Sequence, residues 1–414
     1  MNQQRRALAP GFFLGVCLLF IAAYLHGQGS TWMGIELWDS MTSARSKLGP
    51  FRINASLNIT NAGYNSNIYP GSEEDPVGDG TMFAGPNLGI YLPVSKTIVF
   101  DIFESPYYAF YLKTRRERAW NNVFSGKVHF LLKKVYFVIG GGSSNIRQIA
   151  STELDFPLRI KQDQAIGSFL WQLRPRISLL ISSDWTKFAY GDPAFGELEI
   201  YQRLNRQETK IRLTAYKQTG PRTRLHFDGE YGSFVFGYFS ENRDSRSFTI
   251  SGGLDMEALS RVQGTVNLGF KYFDNLNPER QDYRGLFAET NLAWSLSPRW
   301  ILQGSLQRGP QFSVWSDYLF YIQTIWGGGL SHQMLQWILL AYDFSYGRNL
   351  YPRGEQEGET VRSDSYSTHS GRIEIQLGRS TKLSLIAIFS TRRSSFEFFN
   401  YDRTFIGFNL VHDF

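Results

Sequence analysis

Six histidines and one cysteine are the obvious candidates for metal or nucleophilic chemistry in this 414-residue chain, and their spacing supports neither. His26, His129, His226, His332, His369 and His412 form no i, i+4 pair of the kind that holds a metal on one helix face. Gly140-Gly141-Gly142 and Gly327-Gly328-Gly329 lack the Lys and Ser/Thr that follow a phosphate-cradling loop. No G-x-S-x-G elbow occurs. The chain is therefore not read as an enzyme, and no catalytic, metal or cofactor site is expected. What remains is a set of charged residues set into alternating segments: Arg52, Lys127, His129, Lys210, Arg212, Asp228, Glu230, Lys271, Glu289, Arg372 and Glu374. They are candidates for a polar wall that contacts a solute.

The segments that carry them alternate with period two. Phe51, Ile53, Ala55, Leu57 and Ile59 share one face, and Arg52, Asn54, Ser56, Asn58 and Thr60 the other. Leu225, Phe227 and Tyr231 oppose Arg224, His226, Asp228 and Glu230, and Ile373, Ile375 and Leu377 oppose Arg372, Glu374 and Gln376. Such alternation predicts strands with one apolar face. Only Ser30 to Lys47 departs from it, where Trp32, Ile35, Trp38 and Met41 suggest a short amphipathic helical turn.

Composition agrees. The chain is 42% hydrophobic and 16% aromatic, which excludes a bundle of apolar membrane helices. A net charge of +6 is small for the length, and Glu117 interrupts the cluster Arg115, Arg116, Arg118, so no nucleic-acid partner is expected. Arg5 and Arg6 precede the apolar run Phe12 to Leu25, with small residues near Gly29. That pattern predicts an export signal over 1–29, too short to span a membrane comfortably. Cys17 would leave with it, and residues 30–50 would form a short periplasmic segment.

Connections alternate in length. Short turns such as Pro93-Val94-Ser95, Arg174-Pro175, Gly220-Pro221 and Ser297-Pro298 alternate with longer polar stretches such as 62–81, 146–161 and 348–365. Eight short turns and nine longer loops predict eighteen strands, the first near 51–61 and the last near 402–413. This is the pattern of an all-β, closed antiparallel transmembrane barrel over 51–414, with short periplasmic turns and long external loops. The predicted location is the outer membrane of a Gram-negative-type bacterium. A charge facing lipid near the midplane would cost about 2–4 kcal/mol, so the charged face must look into the lumen. The loops 146–161 and 349–365 are long enough to fold inward. Tyr107, Tyr108, Phe110 and Tyr111, then Trp326, Trp337 and Tyr342, then Phe396, Phe398, Phe399 and Tyr401 are candidates for interfacial belts.

The last strand presents Ile406, Phe408, Leu410, His412 and Phe414 on one face. It resembles the terminal strand of outer-membrane barrels, which the barrel-assembly machinery recognises, with Phe408, Leu410 and Phe414 as the signal and His412 as a departure. The first strand opens with Leu48-Gly49-Pro50-Phe51 and ends Asn61-Ala62-Gly63-Tyr64-Asn65-Ser66-Asn67-Ile68-Tyr69. This resembles the outer-membrane β-barrel family of exopolysaccharide operons, also described as putative β-barrel porin type 2, although Asn65 stands where that family often carries Asp. Thr152-Glu153-Leu154-Asp155 with Arg159, and Leu204-Asn205-Arg206, are further similar pieces. The resemblance implies a pore for export or surface presentation of exopolysaccharide, with the polysaccharide and a periplasmic export protein as partners. A general diffusion porin for small solutes needs only the barrel, and a structural or adhesive barrel is a third class.

Deleting Phe414 should lower the amount of heat-modifiable barrel in the membrane several-fold and leave chain for periplasmic proteolysis. An unchanged amount would show that Phe414 is no part of an assembly signal.

Overall fold

The computed structural model describes residues 37–69 apart from 39 and 43, 76–191 apart from 155, 200–256, 261–315, 318–352 and 362–414. The expected export signal, together with Trp32 and Ile35, lies outside the described residues.

β-branched and aromatic residues alternating with polar ones suit a pleated ribbon with two unlike faces. Eighteen such ribbons form the wall. They are β1 (Phe51–Asn65), β2 (Asp79–Pro93), β3 (Ile98–Glu104 and Tyr107–Tyr111, broken at Ser105 and Pro106) and β4 (Ala119–Leu131). Then come β5 (Val135–Gln148), β6 (Leu158–Arg174), β7 (Ile177–Gly191), β8 (Arg206–Gly220) and β9 (Thr223–Phe236). The second half holds β10 (Ser245–Met256), β11 (Val262–Asn275), β12 (Tyr283–Ser297), β13 (Trp300–Phe312) and β14 (Phe320–Leu335). It ends with β15 (Ile338–Leu350), β16 (Ser363–Leu377), β17 (Thr381–Ser394) and β18 (Tyr401–Asp413). Each strand runs antiparallel to the next, and β18 returns to pair with β1. Several strands outrun the sequence-based expectation: β1 reaches Asn65 and β6 begins at Leu158. Ladder hydrogen bonds continue above the membrane, where an apolar face is no longer needed to mark them.

The β1–β18 seam shows why its residues are what they are. The register shifts between Ile59 and Ala62. Asn61 sits at φ 51° in this bulge, a conformation Asn tolerates better than most residues, and donates its N–H to Asn409 Oδ1 at 2.8 Å. A Cβ on Gly63 would strike the Ile406 carbonyl, and one on Gly407 would lie 2.5 Å from the Ala62 carbonyl. Two glycines let the edges meet. The Asn61-Ala62-Gly63 segment is therefore the closure device of the barrel.

Facing follows the alternation. On β9, Leu225, Phe227, Tyr231 and Val235 are exposed on the outside, and Arg224, His226, Asp228 and Glu230 are buried inside. Trp326, Trp337 and Tyr342 are exposed on the outer surface, as an interfacial belt requires. Three expected belt members face elsewhere. Tyr107 and Tyr111 lie against Phe83 on the inner side, with centroids 6.2 and 6.0 Å away. Phe399 lies under the Arg362 guanidinium at 4.0 Å, over the outer mouth. Loop packing outweighs the membrane interface there.

At the periplasmic end, Leu37, Trp38 and residues 40–42 are helical. Leu37 and Met41 pack against Val99, Tyr91 and Leu131, which face inward at the foot of β2–β4. On β18, Ile406, Phe408 and Phe414 are exposed outward, and the Phe414 N–H reaches the Ala55 carbonyl at 2.9 Å. His412 sits beside the Phe414 ring and 2.8 Å from Thr381 Oγ1, so its polarity is satisfied at the rim.

Cysteine placed singly at Phe227 or Leu268 should label slowly with a polar maleimide in membranes, and cysteine at Arg212 or Glu230 quickly. Equal rates would refute this register, because a one-residue slip inverts every side chain.

Candidate functional site

The densest charge on the inner wall runs across β8, β9 and β11. On β8, Ile211 and Leu213 face outward, so Arg206, Glu208, Lys210 and Arg212 all face inward. Glu208 accepts from Arg206 Nε at 2.8 Å and from Lys210 Nζ at 2.9 Å. Arg212 holds Glu230 through both Nε and Nη2. Lys271 Nζ lies 3.9 Å from the other Glu230 oxygen, beyond hydrogen-bonding reach. Paired charges tolerate a confined wall better than single ones. The site therefore combines satisfied ion pairs with one cation, Lys271, whose nearest carboxylate is already engaged.

Above this patch the outer mouth is narrowed from two sides. The β12–β13 ladder ends at Ala288↔Arg308, whereas β13 and β14 stay paired up to Phe312↔Phe320. About ten residues of β12, 288–297, thus remain paired with β13, enough to cross the hydrocarbon. Beyond them the β13–β14 tip bends into the lumen. Phe312 shares the outward parity of Leu302, and Phe320 that of Trp326. Both nonetheless touch rings on the inner wall. Phe312 lies 5.1 Å from Phe234 and Phe236 and 5.6 Å from Phe273, and Phe320 lies 5.5 Å from Phe273. Edge-on aromatic packing holds the tip there.

The loop between β5 and β6 reaches the same tip from the opposite wall. Glu153 is almost fully buried and takes hydrogen bonds at 2.8 Å from Ser313 Oγ and from the Val314 N–H. Thr152 Oγ1 accepts from Asn349 Nδ2 at 2.8 Å. Leu154, Leu158, Leu204 and Val314 form a small apolar core around this junction. Arg203 and Arg243 donate to the Val314 and Ser313 carbonyls, at 3.3 and 2.6 Å. Burial pushes the Glu153 carboxyl above its ordinary range, against hydrogen bonds from Val314, Ser313 and Tyr351 and the charge of Arg362, which favour its charged form. Burial, then the neighbouring Arg206 and Arg203, lower Arg243 to about 10. A cavity of about 370 Å³ lies beneath, between the loop, the tip and the charged wall.

The expected wall residues separate into groups. Lys210, Arg212, Asp228, Glu230 and Lys271 come together with Glu289, which is close enough to Arg212 to act on its charge. Asp228 takes the Thr214 hydroxyl. Arg52 folds back on the Gly49 and Phe51 carbonyls at the periplasmic rim. Lys127 faces Asp101 in register, and His129 Nε2 lies 3.5 Å from the same carboxylate. Arg372 and Glu374 stand on β16, away from the patch, and Glu374 pairs with Lys382 at 3.1 Å. The tethering residues Glu153, Ser313, Arg203 and Arg243 and the inward rings Phe234, Phe236, Phe273, Phe312 and Phe320 were not among the expected lumen residues. Glu153 stood in a segment with family-like sequence inside a loop long enough to fold inward. Phe234, Phe236 and Phe273 share the inward parity of Glu230 and Lys271, whereas Phe312 and Phe320 gave no signal, because their parity is outward. Most of the 349–365 loop lies outside the described residues, although Asn349 does contact the constriction. Among the described residues, no group of three His, Cys, Asp or Glu could hold a metal.

A family model described as "Putative beta-barrel porin 2" matches residues 169–414. No curated protein matches the chain. Solved structures of similar fold include OccAB3 of Acinetobacter baumannii, 12% identical, covering 89% of this chain and 100% of that one with a TM-score of 0.50. A BenF-like porin from Pseudomonas fluorescens Pf-5 is 11% identical, covering 89% and 99%, also at 0.50. OpdK of Pseudomonas aeruginosa, solved with vanillate, is 10% identical, covering 87% and 98%, again at 0.50. At these identities the likeness is one of fold. The barrel is an outer-membrane protein.

Glu153→Ala should free the loop and raise single-channel conductance about twofold or more with normal assembly. The raised carboxyl binds its proton more tightly when tethered than when loose, so the tether weakens as pH rises through that titration. Conductance should therefore rise with pH in the wild type. Glu153→Gln, which can keep both contacts without titrating, should stay low and flat. Equal pH profiles in the wild type and Glu153→Gln would exclude the carboxyl as the pH-sensitive group.

Proposed function

The chain belongs to the "Putative beta-barrel porin 2" family, and we propose that it works as a passive outer-membrane channel for small solutes. The observation that carries this reading is the tether of Glu153 to Ser313 and Val314, which holds a loop against the inward-bent β13–β14 tip at the outer mouth. A polymer in transit needs an opening that persists while its whole length passes. A mouth narrowed from two sides favours molecules that cross one at a time. The wall below suits such traffic. Its ion pairs keep the surface wettable and engage most of its charges, so solutes are held weakly enough to leave.

The similar structures add support: one is named a porin, and another was solved with vanillate. Fold and family are those of channels. Small-solute diffusion is therefore favoured over exopolysaccharide export, for which the resemblance of the first strand and of the short inner segments is the support. Recognition of the terminal strand by the assembly machinery is part of the same proposal.

Purified protein in liposomes should make them swell in isotonic solutions of small sugars, amino acids or organic acids, with rates falling steeply as solute size increases. Cells lacking the gene should take up such solutes more slowly and make normal amounts of surface polysaccharide. Loss of polysaccharide with unchanged uptake would reverse the assignment in favour of export.

A further inference from the structure

The cavity beneath the tethered loop has two unlike halves. One half is cationic: Arg206, Lys210 and Lys271 line it with Glu208 as the single acid among the lining residues. Glu208 is satisfied by the first two cations, and the carboxylate nearest Lys271 is held by Arg212. Lys271 thus keeps ammonium donors directed at the cavity with no acid within hydrogen-bonding distance. The other half is apolar, with Phe234, Phe273, Phe312 and Phe320 as its rings. A further cation stands just outside: Arg243 is almost fully buried, pairs with no carboxylate within salt-bridge distance among the described residues, and has an Nε without a partner. The volume of about 370 Å³ lies at the small end of the roughly 300–1,000 Å³ typical of ligand pockets.

We propose that this cavity is a binding site for a small organic anion with an apolar body, the carboxylate on Lys271 and Lys210 and the body against the phenylalanine rings. An excess of cations in a partly dehydrated wall attracts an anion and rejects a cation. A neutral sugar would bring Lys271 no charged acceptor within hydrogen-bonding reach and would set hydroxyls against phenyl rings. An inorganic anion would leave the rings unused. Only a molecule with both parts satisfies both halves. The inference rests on the small-solute reading and narrows it to a class of solute.

The test uses the full-length mature barrel in detergent, with benzoate, acetate, benzyl alcohol and glucose titrated by calorimetry. Benzoate should bind saturably, and each of the others about tenfold more weakly or not at all. Lys271→Gln should weaken benzoate about tenfold, as expected for loss of a charge-assisted contact. Lys127→Gln, a lysine elsewhere on the inner wall, should leave benzoate binding unchanged. Equal binding of benzoate and benzyl alcohol, tighter binding of glucose, or equal loss in the two lysine variants would overturn the proposal. Conductance of the same preparation in potassium chloride tests the channel separately. A conducting barrel that ignores benzoate sinks the anion site alone, and a barrel that binds benzoate without conducting sinks the channel alone.

Discussion

Everything in this molecule follows from the fact that hydrocarbon offers no partner to a peptide group. Each N–H and C=O inside the membrane must be bonded within the chain, so the sheet has to close on itself. Closure is decided at the β1–β18 seam. Asn61 takes the positive φ of a bulge there, and Gly63 and Gly407 remove the side chains that would keep the edges apart. With the edges joined, each strand has one face in lipid and one in the lumen. The alternation of apolar and charged residues is then the only arrangement that avoids a charge in hydrocarbon.

Closure creates a second problem inside. A wall of many inward charges shares a limited amount of water, and the chain answers with pairs: Glu208 between Arg206 and Lys210, and Glu230 against Arg212. Such pairs contribute little net stability, since desolvation offsets much of their attraction, but they keep the inner wall wet and its charge local. Pairing is incomplete at Lys271 and Arg243, and both residues stand where the lumen narrows. The narrowing has its own physics. The β13–β14 tip and the loop carrying Glu153 come from opposite walls, and they meet through an aromatic cluster, a buried carboxylate and a small apolar core. The constriction and the cations with the loosest pairing therefore coincide, because both are built at the same place.

Much of the wall was legible in the sequence. Eighteen strands, eight short turns and nine longer loops could be counted from period-two alternation and turn residues, because lipid on one side and water on the other impose a strict two-residue rhythm. The wall residues Lys210, Arg212, Asp228, Glu230 and Lys271 were identified by parity alone. Interfacial aromatics were read less well. Tyr107 and Tyr111 turn inward and Phe399 covers the mouth, because an aromatic residue near a strand end serves a girdle or a loop core equally well, and composition does not separate the two. His412, the departure in the terminal strand, has its polarity met by Thr381 at the rim.

The sequence by itself determined the class of fold, the strand count and the face each charged residue takes, since these depend on local periodicity and on the solvent each face meets. Only the tertiary structure decided which charges become partners and what closes over them. Glu153 and Ser313 are 160 residues apart, and Phe312 lies inside against the rule of its own strand. Local alternation carries no information about contacts across a lumen, nor about where a hairpin leaves the wall. Those were settled by the way the barrel, once closed, brought opposite walls within reach of each other.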